Sequence, residues 1–276
     1  MQLSKFNSKT NSFVAVLAAF LLAGCGSTPT QSGMAGMDHS KAEKPVTSSG
    51  TAAKGGGTYL DQPLSKDLLQ TSFFDSTGKS FTLESKKGKY LVIANFLTSC
   101  QEICPMTAAN IRDVGEAINK AGLTNSVEAM IISVDGERDL PARLNAYKDF
   151  YGSNNWTVAS GTSANLAKLW KFFGAPAMRE EFNKTDAAKL SPDWQTGAPV
   201  KYDMVHADLV VIIDDMGHWR WLALGSPKVG PAGIPSKLKD YLSPQGLVNL
   251  TKPEEPTWTT SAIFSALTEL TGKTIK

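Results

Sequence analysis

The fold is decided by the stretch Tyr90-Leu91-Val92-Ile93-Ala94-Asn95-Phe96-Leu97-Thr98-Ser99-Cys100-Gln101-Glu102-Ile103-Cys104-Pro105. It begins as a nearly unbroken apolar run, which is typical of a β-strand with both faces buried in a sheet. After Pro105 the period changes, and apolar residues recur at helical spacing up to Gly122, at Ala108, Ile111, Val114 and Ile118. The stretch therefore predicts a central strand that leads directly into a helix.

Two cysteines, Cys100 and Cys104, lie at this junction. Pro105 suits the start of a helix, where its missing N–H leaves no intrahelical hydrogen bond unmade, and the positive end of the helix dipole is expected to favour the thiolate of Cys104. Side chains at i and i+4 face the same point if the residues between them form the first helical turn. The pair can form a disulfide, act as a redox couple or bind a metal ion.

The N-terminus has the pattern of a targeting signal. Lys5 and Lys9 form a positive region, and the apolar run from Phe13 to Leu22 is too short to span a bilayer as a stable helix. The run ends in Leu22-Ala23-Gly24-Cys25, which resembles a bacterial lipobox. We therefore expect residues 1–24 to be a lipoprotein signal peptide and Cys25 to be lipidated. The protein would then be anchored to a membrane on its periplasmic or extracytoplasmic side, and Gly26 favours the outer membrane in a Gram-negative cell.

Charge and cysteine content narrow the possible partners. The formal net charge is +2, and loss of the two lysines in residues 1–24 leaves a mature chain of zero net charge. Such a chain has no basic field for nucleic acid. Of the three cysteines, lipid would occupy Cys25, which leaves Cys100 and Cys104 as a pair in an oxidising compartment.

Residues 25–58 are predicted to be a lipidated flexible linker, because they are rich in Gly, Ser, Thr, Ala and Lys and contain almost no large apolar side chain. Within it, Met34, Met37 and His39 form a candidate auxiliary site for Cu(I) or Ag(I), since thioether and imidazole ligands select soft ions. The alternative is that these residues fall together by chance in a polar tail.

Residues 59–245 show the order strand, helix, strand, helix, strand, helix, hairpin, helix, which predicts an α/β domain with a mixed central sheet flanked by helices. With a cysteine pair at the first strand-to-helix junction, the thioredoxin-like fold is the leading candidate. We expect a strand over Val205–Ile213, a helix capped by Ser163, a last core helix over Ile234–Leu242 and an irregular insertion over residues 175–202. Residues 246–276 are expected to be a C-terminal extension, with a helix over Ser261–Leu270.

A third ligand would make the cysteine pair a specific metal site. His206 stands where the predicted late strand begins, in a position that this fold would bring beside the cysteines, whereas His218 follows an Asp-x-x-Gly turn and is expected to be an exposed hairpin residue. Two thiolates and one imidazole form a soft ligand set that favours copper. Zinc also accepts these ligands, but usually with a fourth ligand or a water molecule.

Three motifs in sequence order carry a family resemblance. They are Cys100-x-x-x-Cys104-Pro105, the run Ile132-Ser133-Val134-Asp135-Gly136-Glu137-Arg138-Asp139, and a single histidine, His206, that opens a strand ending in Asp-x-x-Gly. From roughly Leu69 to Leu242 the chain resembles the Sco/SenC family of membrane-anchored, thioredoxin-like copper proteins.

The resemblance implies that Cys100, Cys104 and His206 bind copper as Cu(I) or Cu(II). It also implies delivery of copper to the binuclear copper centre of cytochrome c oxidase or a related respiratory enzyme, or reduction of that centre's cysteines. The implied partners are the copper-accepting oxidase subunit, other copper chaperones and thiol reductases.

The sequence departs from the family pattern at several positions. Val205 stands where the family usually has an aspartate, so that Asp203 or Asp208 would have to act as the partner of His206. Gly136 replaces a usual proline, and neither the aromatic hairpin Trp219–Trp221 nor the C-terminal extension is typical of the family.

Other function classes fit the residues less well. A membrane-tethered thiol-disulfide oxidoreductase is the main alternative, although such enzymes mostly carry Cys-x-x-Cys, and the wider spacing changes the redox poise. A thiol peroxidase would need a Pro-x-x-x-Thr-x-x-Cys setting, and Leu91 to Ser99 contain no proline. A zinc hydrolase would need a glutamate base, and no glutamate stands at a recognisable spacing for one, although Glu102 lies between the cysteines.

Overall fold

The computed structural model describes residues 50–276. The helices are α1 (Lys66–Leu69), α2 (Cys104–Lys120), α3 (Pro141–Asp149), α4 (Ser163–Phe172), α5 (Lys184–Ala187), α6 (Ser236–Lys239), α7 (Pro244–Asn249) and α8 (Thr260–Thr271). The strands are β1 (Thr51–Ala52), β2 (Thr58–Pro63), β3 (Ser72–Asp75), β4 (Ser80–Thr82), β5 (Tyr90–Phe96), β6 (Val127–Ser133), β7 (Thr157–Ser160), β8 (Met178–Glu181), β9 (Tyr202–Val205), β10 (Leu209–Ile213), β11 (His218–Leu224), β12 (Ser226–Pro227) and β13 (Thr257–Trp258).

Nine strands of the described part form one mixed sheet in the order β1-β2-β11-β10-β5-β6-β7-β3-β4. The central pairs β5–β6 and β6–β7 are parallel, and the neighbours on either side are antiparallel. Helix α2 connects β5 to β6 and packs against both strands. The predicted mixed α/β architecture with a central sheet and flanking helices, of the thioredoxin-like type, is confirmed.

Strand β5 lies at the centre of the sheet, between β10 and β6. From Leu91 to Phe96 its side chains are at most 2% exposed, which is the burial that the apolar run predicted. The strand ends where the polar loop begins, so Cys100 lies beyond the carboxyl end of β5 and Cys104 begins α2. A central strand and a buried helix thus hold the two cysteines from either side.

The predicted strand Val205–Ile213 is wrong in its bounds, because the structure divides it. Residues Tyr202–Val205 form β9, which pairs with β8 in a separate two-stranded sheet, while Leu209–Ile213 form β10 of the main sheet. His206 therefore lies in the three-residue connection between two sheets rather than at the start of one strand. The polar Asp208 interrupts the apolar run at the break.

Three further local expectations are corrected. Thr162 caps α4 in place of Ser163, because the Thr162 side chain accepts the backbone N–H of Asn165 at 3.2 Å. The helix expected over Ile234–Leu242 is regular only over the four residues of α6, of which Leu238 is buried. The insertion over residues 175–202 contains β8 and α5 instead of being irregular throughout.

The C-terminal segment is part of the core and not a peripheral appendage. Trp258, Ile263 and Leu267 are 3%, 0% and 0% exposed, and α8 packs against α2. Strand β13 pairs in parallel with β12, and the Tyr90 hydroxyl donates to the Leu270 carbonyl at 3.1 Å. The predicted helix is confirmed with the bounds Thr260–Thr271.

Within residues 50–276, no helix has both the length and the apolar character needed to cross a bilayer. The signal peptide, the lipidation of Cys25 and the auxiliary ligands Met34, Met37 and His39 fall on residues outside the described part of the chain.

Candidate metal site

The two cysteines are held by backbone N–H groups at the junction of β5 and α2. The Cys104 N–H donates to the Cys100 sulfur at 3.4 Å, and the Leu97 N–H donates to the Cys104 sulfur at 3.4 Å. Cys100 is partly exposed, whereas Cys104 is 1% exposed, and both are free thiols. The turn between them brings the two side chains together at the N-terminus of α2, as the spacing predicted.

The predicted thiolate of Cys104 is not supported by the structure. Burial raises the pKa of the Cys104 thiol well above its ordinary value, and the hydrogen bond with Cys100 and the negative charges of Cys100 and Asp208 act in the same direction. The Leu97 N–H lowers this pKa but is outweighed. Desolvation of the sulfur therefore affects the pKa of Cys104 more than the helix dipole does. Cys104 is a buried, protonated thiol until it binds a cation or reacts with an oxidised partner.

His206 is 2% exposed and lies just beyond the end of β5. Its Nδ1 atom is 3.1 Å from the Asn95 side-chain nitrogen and 3.1 Å from the Ala207 carbonyl oxygen. The Asp208 carboxylate, one of the two expected partners, is 3.9 Å from Nδ1, which is beyond hydrogen-bond distance. Asp203 is the other expected partner of His206. It lines a small cavity that Cys100 and Glu102 also line.

The structure brings Cys100 and Cys104 together, whereas the described contacts of His206 are with Asn95 and with its own loop. Within residues 50–276, no three His, Cys, Asp or Glu side chains lie close enough to one another to enclose a metal ion. The thiol pair is thus already formed, while His206 is fixed on its Nδ1 side by groups of β5 and of its own loop.

A buried polar network supports the cysteine loop from one side. The Asp139 carboxylate accepts hydrogen bonds from the Thr98 hydroxyl at 2.5 Å, the Thr98 N–H at 3.1 Å and the Ser133 hydroxyl at 2.6 Å. The Arg143 guanidinium donates to the Thr98 hydroxyl at 2.5 Å and forms an ion pair with Asp193 at 2.5 Å. These bonds fix the backbone two residues before Cys100.

Two segments remote in sequence cover the loop. The Gln101 side chain makes a reciprocal pair with the Ser191 backbone, and the Trp194 indole N–H donates to the Thr98 carbonyl at 2.7 Å. From the other side, a side chain at Gly246 of α7 would place its Cβ 2.1 Å from the Gln101 carbonyl oxygen, so only glycine permits this approach. The cysteine loop is therefore enclosed by the insertion and by the C-terminal segment.

The structure also explains why a glycine stands at position 136, where the family usually has a proline. A Cβ atom there would lie 2.6 Å from the Gly161 carbonyl oxygen and 2.7 Å from the Ser163 nitrogen. The loop after β6 thus packs backbone against backbone on the start of α4.

Asp139 is expected to make stability depend on pH. Burial raises its pKa to about 6, against the hydrogen bonds from Ser133 and Thr98. A carboxyl with a raised pKa binds more protons in the folded than in the unfolded chain, so its contribution is full below about pH 4 and is lost as the pH rises through 6. The loss amounts to roughly 3 kcal/mol.

The measurement is urea unfolding of wild type and Asp139→Asn at pH 4 and pH 7. The free-energy difference between the two proteins should change by about 3 kcal/mol in favour of the variant at pH 7. Asp193 does not interfere: burial raises its pKa, but hydrogen bonds from Arg143 and Thr196 outweigh burial and lower it to about 2, so it titrates below this range. A difference that is the same at both pH values would contradict the assignment.

Comparison with known proteins decides the family. The family model described as SCO1/SenC matches residues 68–243, which is more than half of the chain. This chain belongs to the SCO1/SenC family. The match contains both cysteines, His206 and the loop around Asp139, and it ends where α7 begins.

The relatives of this chain share less than a third of its residues over the matched regions. The SCO1 protein homolog of Bacillus subtilis is 29% identical over 110 residues, which cover 39% of this chain and 56% of that protein, so the chain spans about half the length of this relative. A Stutzerimonas stutzeri protein named for copper binding is 24% identical over 165 residues, 55% of this chain and 80% of that protein. The copper-bound structure of ScoI from Bradyrhizobium japonicum is 27% identical with a TM-score of 0.45, covering 62% of this chain and 97% of that chain.

Several residues around the SCO1/SenC cysteine loop have no signal in the sequence. Trp194 and Asp193 belong to an insertion without apolar periodicity, and they meet Thr98 and Arg143 only through the tertiary fold. Asn95 could have been found, because it is an amide in an otherwise apolar strand that is buried on both faces, and such a group needs a buried polar partner.

Proposed function

We propose that this chain binds copper through Cys100, Cys104 and His206 and hands it to an acceptor protein. The observation that carries the proposal is the pair of adjacent sulfurs at the carboxyl end of β5 with a buried imidazole beside the same strand. Both sulfurs accept backbone N–H groups, and such bonds stabilise negative charge on a sulfur once a cation replaces its proton.

Copper suits this ligand set better than harder ions. Thiolate and imidazole are soft or borderline ligands, and a set of three favours Cu(I), which accepts low coordination numbers. Because the pKa of Cys104 is raised, copper must displace its proton, which couples binding to pH and makes release to a competing thiol acceptor easier. A site from which copper can be released fits a carrier rather than a permanent cofactor.

The acceptor is proposed to be the copper-accepting subunit of cytochrome c oxidase or of a related respiratory enzyme. Members of the Sco family are associated with cytochrome c oxidase assembly. Other copper chaperones and thiol reductases would load or reduce the site. A lipid on Cys25 is proposed to hold the protein on the periplasmic or extracytoplasmic side of a membrane, in the outer membrane of a Gram-negative cell, and Met34, Met37 and His39 to collect ions in its linker.

His206→Ala is expected to weaken Cu(I) binding by roughly tenfold to a hundredfold, because one of three ligands is lost and the two sulfurs remain. His218→Ala is the matched control, since His218 is a partly exposed imidazole paired with Asp61 at 2.7 Å on the far end of β10–β11. Competition with a chromophoric Cu(I) chelator measures both affinities. Equal affinities in His206→Ala and wild type would remove His206 from the ligand set.

A membrane-tethered thiol-disulfide oxidoreductase is the second candidate. It is favoured by the unequal exposure of the two thiols, because a partly exposed Cys100 can attack a substrate disulfide and a buried Cys104 can then resolve the mixed disulfide. The two functions are compatible, since the thiols must be reduced before they bind copper. A chain that cycles its disulfide readily but retains no copper would favour the oxidoreductase alone.

A further inference from the structure

Asn95 is an amide at the next-to-last position of β5, the central strand of the sheet. It is 1% exposed, and its neighbours in β5, Ala94 and Phe96, are 0% exposed. A buried amide that lacks partners is costly, so this position is tolerated only if its polar atoms are paired. All of its side-chain hydrogen bonds go to one short segment, which runs from His206 to Leu209.

The orientation of the Asn95 amide is determined by its backbone partners. The Leu209 N–H, 3.1 Å away, requires an acceptor and therefore faces the side-chain oxygen. The Ala207 carbonyl, 2.7 Å away, requires a donor and therefore faces the side-chain nitrogen. One hydrogen of that nitrogen is used by Ala207, and the second points to His206 Nδ1 at 3.1 Å.

This arrangement makes His206 Nδ1 an acceptor. If Nδ1 accepts the second Asn95 hydrogen, both amide hydrogens are paired and the ring carries its proton on Nε2. If Nδ1 instead carried the proton and donated to the Ala207 carbonyl at 3.1 Å, two donors would face each other and one buried Asn95 hydrogen would lose its partner. The first arrangement satisfies more buried groups.

We propose that Asn95 is a positioning residue that fixes His206 in its Nε2–H tautomer in the metal-free protein. The consequence for copper rests on the proposed function. A metal that binds Nε2 requires the proton on Nδ1, where the Ala207 carbonyl accepts it. One proton therefore leaves Nε2 and one is bound at Nδ1 when His206 becomes a ligand, and the Asn95 hydrogen bond to the ring is broken.

Asn95 thus favours the opposite imidazole tautomer from the one that an aspartate partner favours. A carboxylate accepts a hydrogen bond from Nδ1–H and prepares Nε2 for a metal, whereas the Asn95 nitrogen donates to Nδ1 and does the opposite. The Asp208 carboxylate is 3.9 Å from Nδ1, which is too far for a hydrogen bond. In the metal-free protein the proton of His206 therefore lies on Nε2, and a metal could bind Nε2 only after that proton has left it.

The tautomer is measured directly from the imidazole ¹⁵N resonances of the reduced, metal-free protein at pH 8, with His39→Gln and His218→Gln used to assign the signals. We expect the resonance of a protonated nitrogen at Nε2 and of an unprotonated nitrogen at Nδ1. Asn95→Ala, which removes the donor and leaves the Ala207 carbonyl to accept a hydrogen bond from Nδ1, should move the protonated resonance to Nδ1. Asp208→Asn is the matched control and should leave the wild-type pattern unchanged.

A protonated Nδ1 in the metal-free wild type would overturn the proposal, whether or not Asn95→Ala folds. A tautomer that is the same in wild type and Asn95→Ala would also overturn it. Loading with Cu(I), which is diamagnetic, separates this proposal from the proposed function. A shift of the proton to Nδ1 supports both, whereas copper-loaded protein in which the Nε2–H and Nδ1 resonances are both unchanged removes His206 from the ligand set and leaves the role of Asn95 intact.

Discussion

Removal of residues 251–276 is expected to abolish cooperative folding of the chain. The segment contributes Trp258, Ile263 and Leu267, all at most 3% exposed, and its helix α8 covers α2, which carries Cys104. Burial of a large apolar side chain contributes about 1.5–3 kcal/mol, so three such side chains with their smaller neighbours contribute on the order of 10 kcal/mol. That is comparable to the whole stability of a typical domain.

Urea unfolding followed by circular dichroism tests this expectation, first with the truncated chain and then with a single substitution in the full chain. The truncated chain should show no cooperative transition, and Leu267→Ala in the full chain should lose about 2–5 kcal/mol. Leu247→Ala, on α7, is the matched control and should change stability little, because Leu247 is 51% exposed. A truncated chain that unfolds with the wild-type midpoint would show that the C-terminal segment is an independent extension after all.

Replacement of either Cys100 or Cys104 by serine is expected to lower the Cu(I) affinity by roughly a thousandfold or more. A hydroxyl is a hard and weakly acidic group that does not replace a thiolate on a soft ion, and the remaining sulfur cannot chelate alone. With the protein produced without lipid, Cys25→Ser is the matched control, since it then removes a free thiol without touching the β5–α2 junction. Competition with a chromophoric Cu(I) chelator again measures the affinity.

The same series separates the two candidate sites for copper. If Cys100→Ser/Cys104→Ser still retains one copper ion at wild-type affinity, the ion is bound elsewhere, and Met34, Met37 and His39 become the candidate ligands. Deletion of residues 26–49 should then abolish binding. If the cysteine site is correct, the same deletion leaves the affinity unchanged.

The centre of the fold could be predicted because its sequence signals are local. Strand β5 is apolar at six of its seven positions, and its change to helical spacing after Pro105 locates α2. Two cysteines at the change of period then indicate a site, since they lie where the carboxyl end of a central strand meets a helix N-terminus. None of these inferences requires contacts between distant parts of the chain.

The rest of the site could not be predicted because it depends on such contacts. The apolar run from Val205 to Ile213 reads as one strand, and only the pairing of Tyr202–Val205 with β8 shows that it is broken at His206. The pKa of Cys104 depends on burial, which the helix-dipole argument does not include. The role of α8 was missed because an amphipathic helix after a Pro-rich stretch gives no indication of which surface it covers.

X-ray absorption of the copper-loaded chain tests the central claim most directly, because it counts the atoms bound to the metal. The proposal that Cys100, Cys104 and His206 hold copper predicts one copper per chain with two sulfur neighbours and one imidazole nitrogen in the reduced protein, and loss of both sulfurs in Cys100→Ser/Cys104→Ser. A first shell without sulfur, or two sulfurs that persist in the double variant, would contradict it.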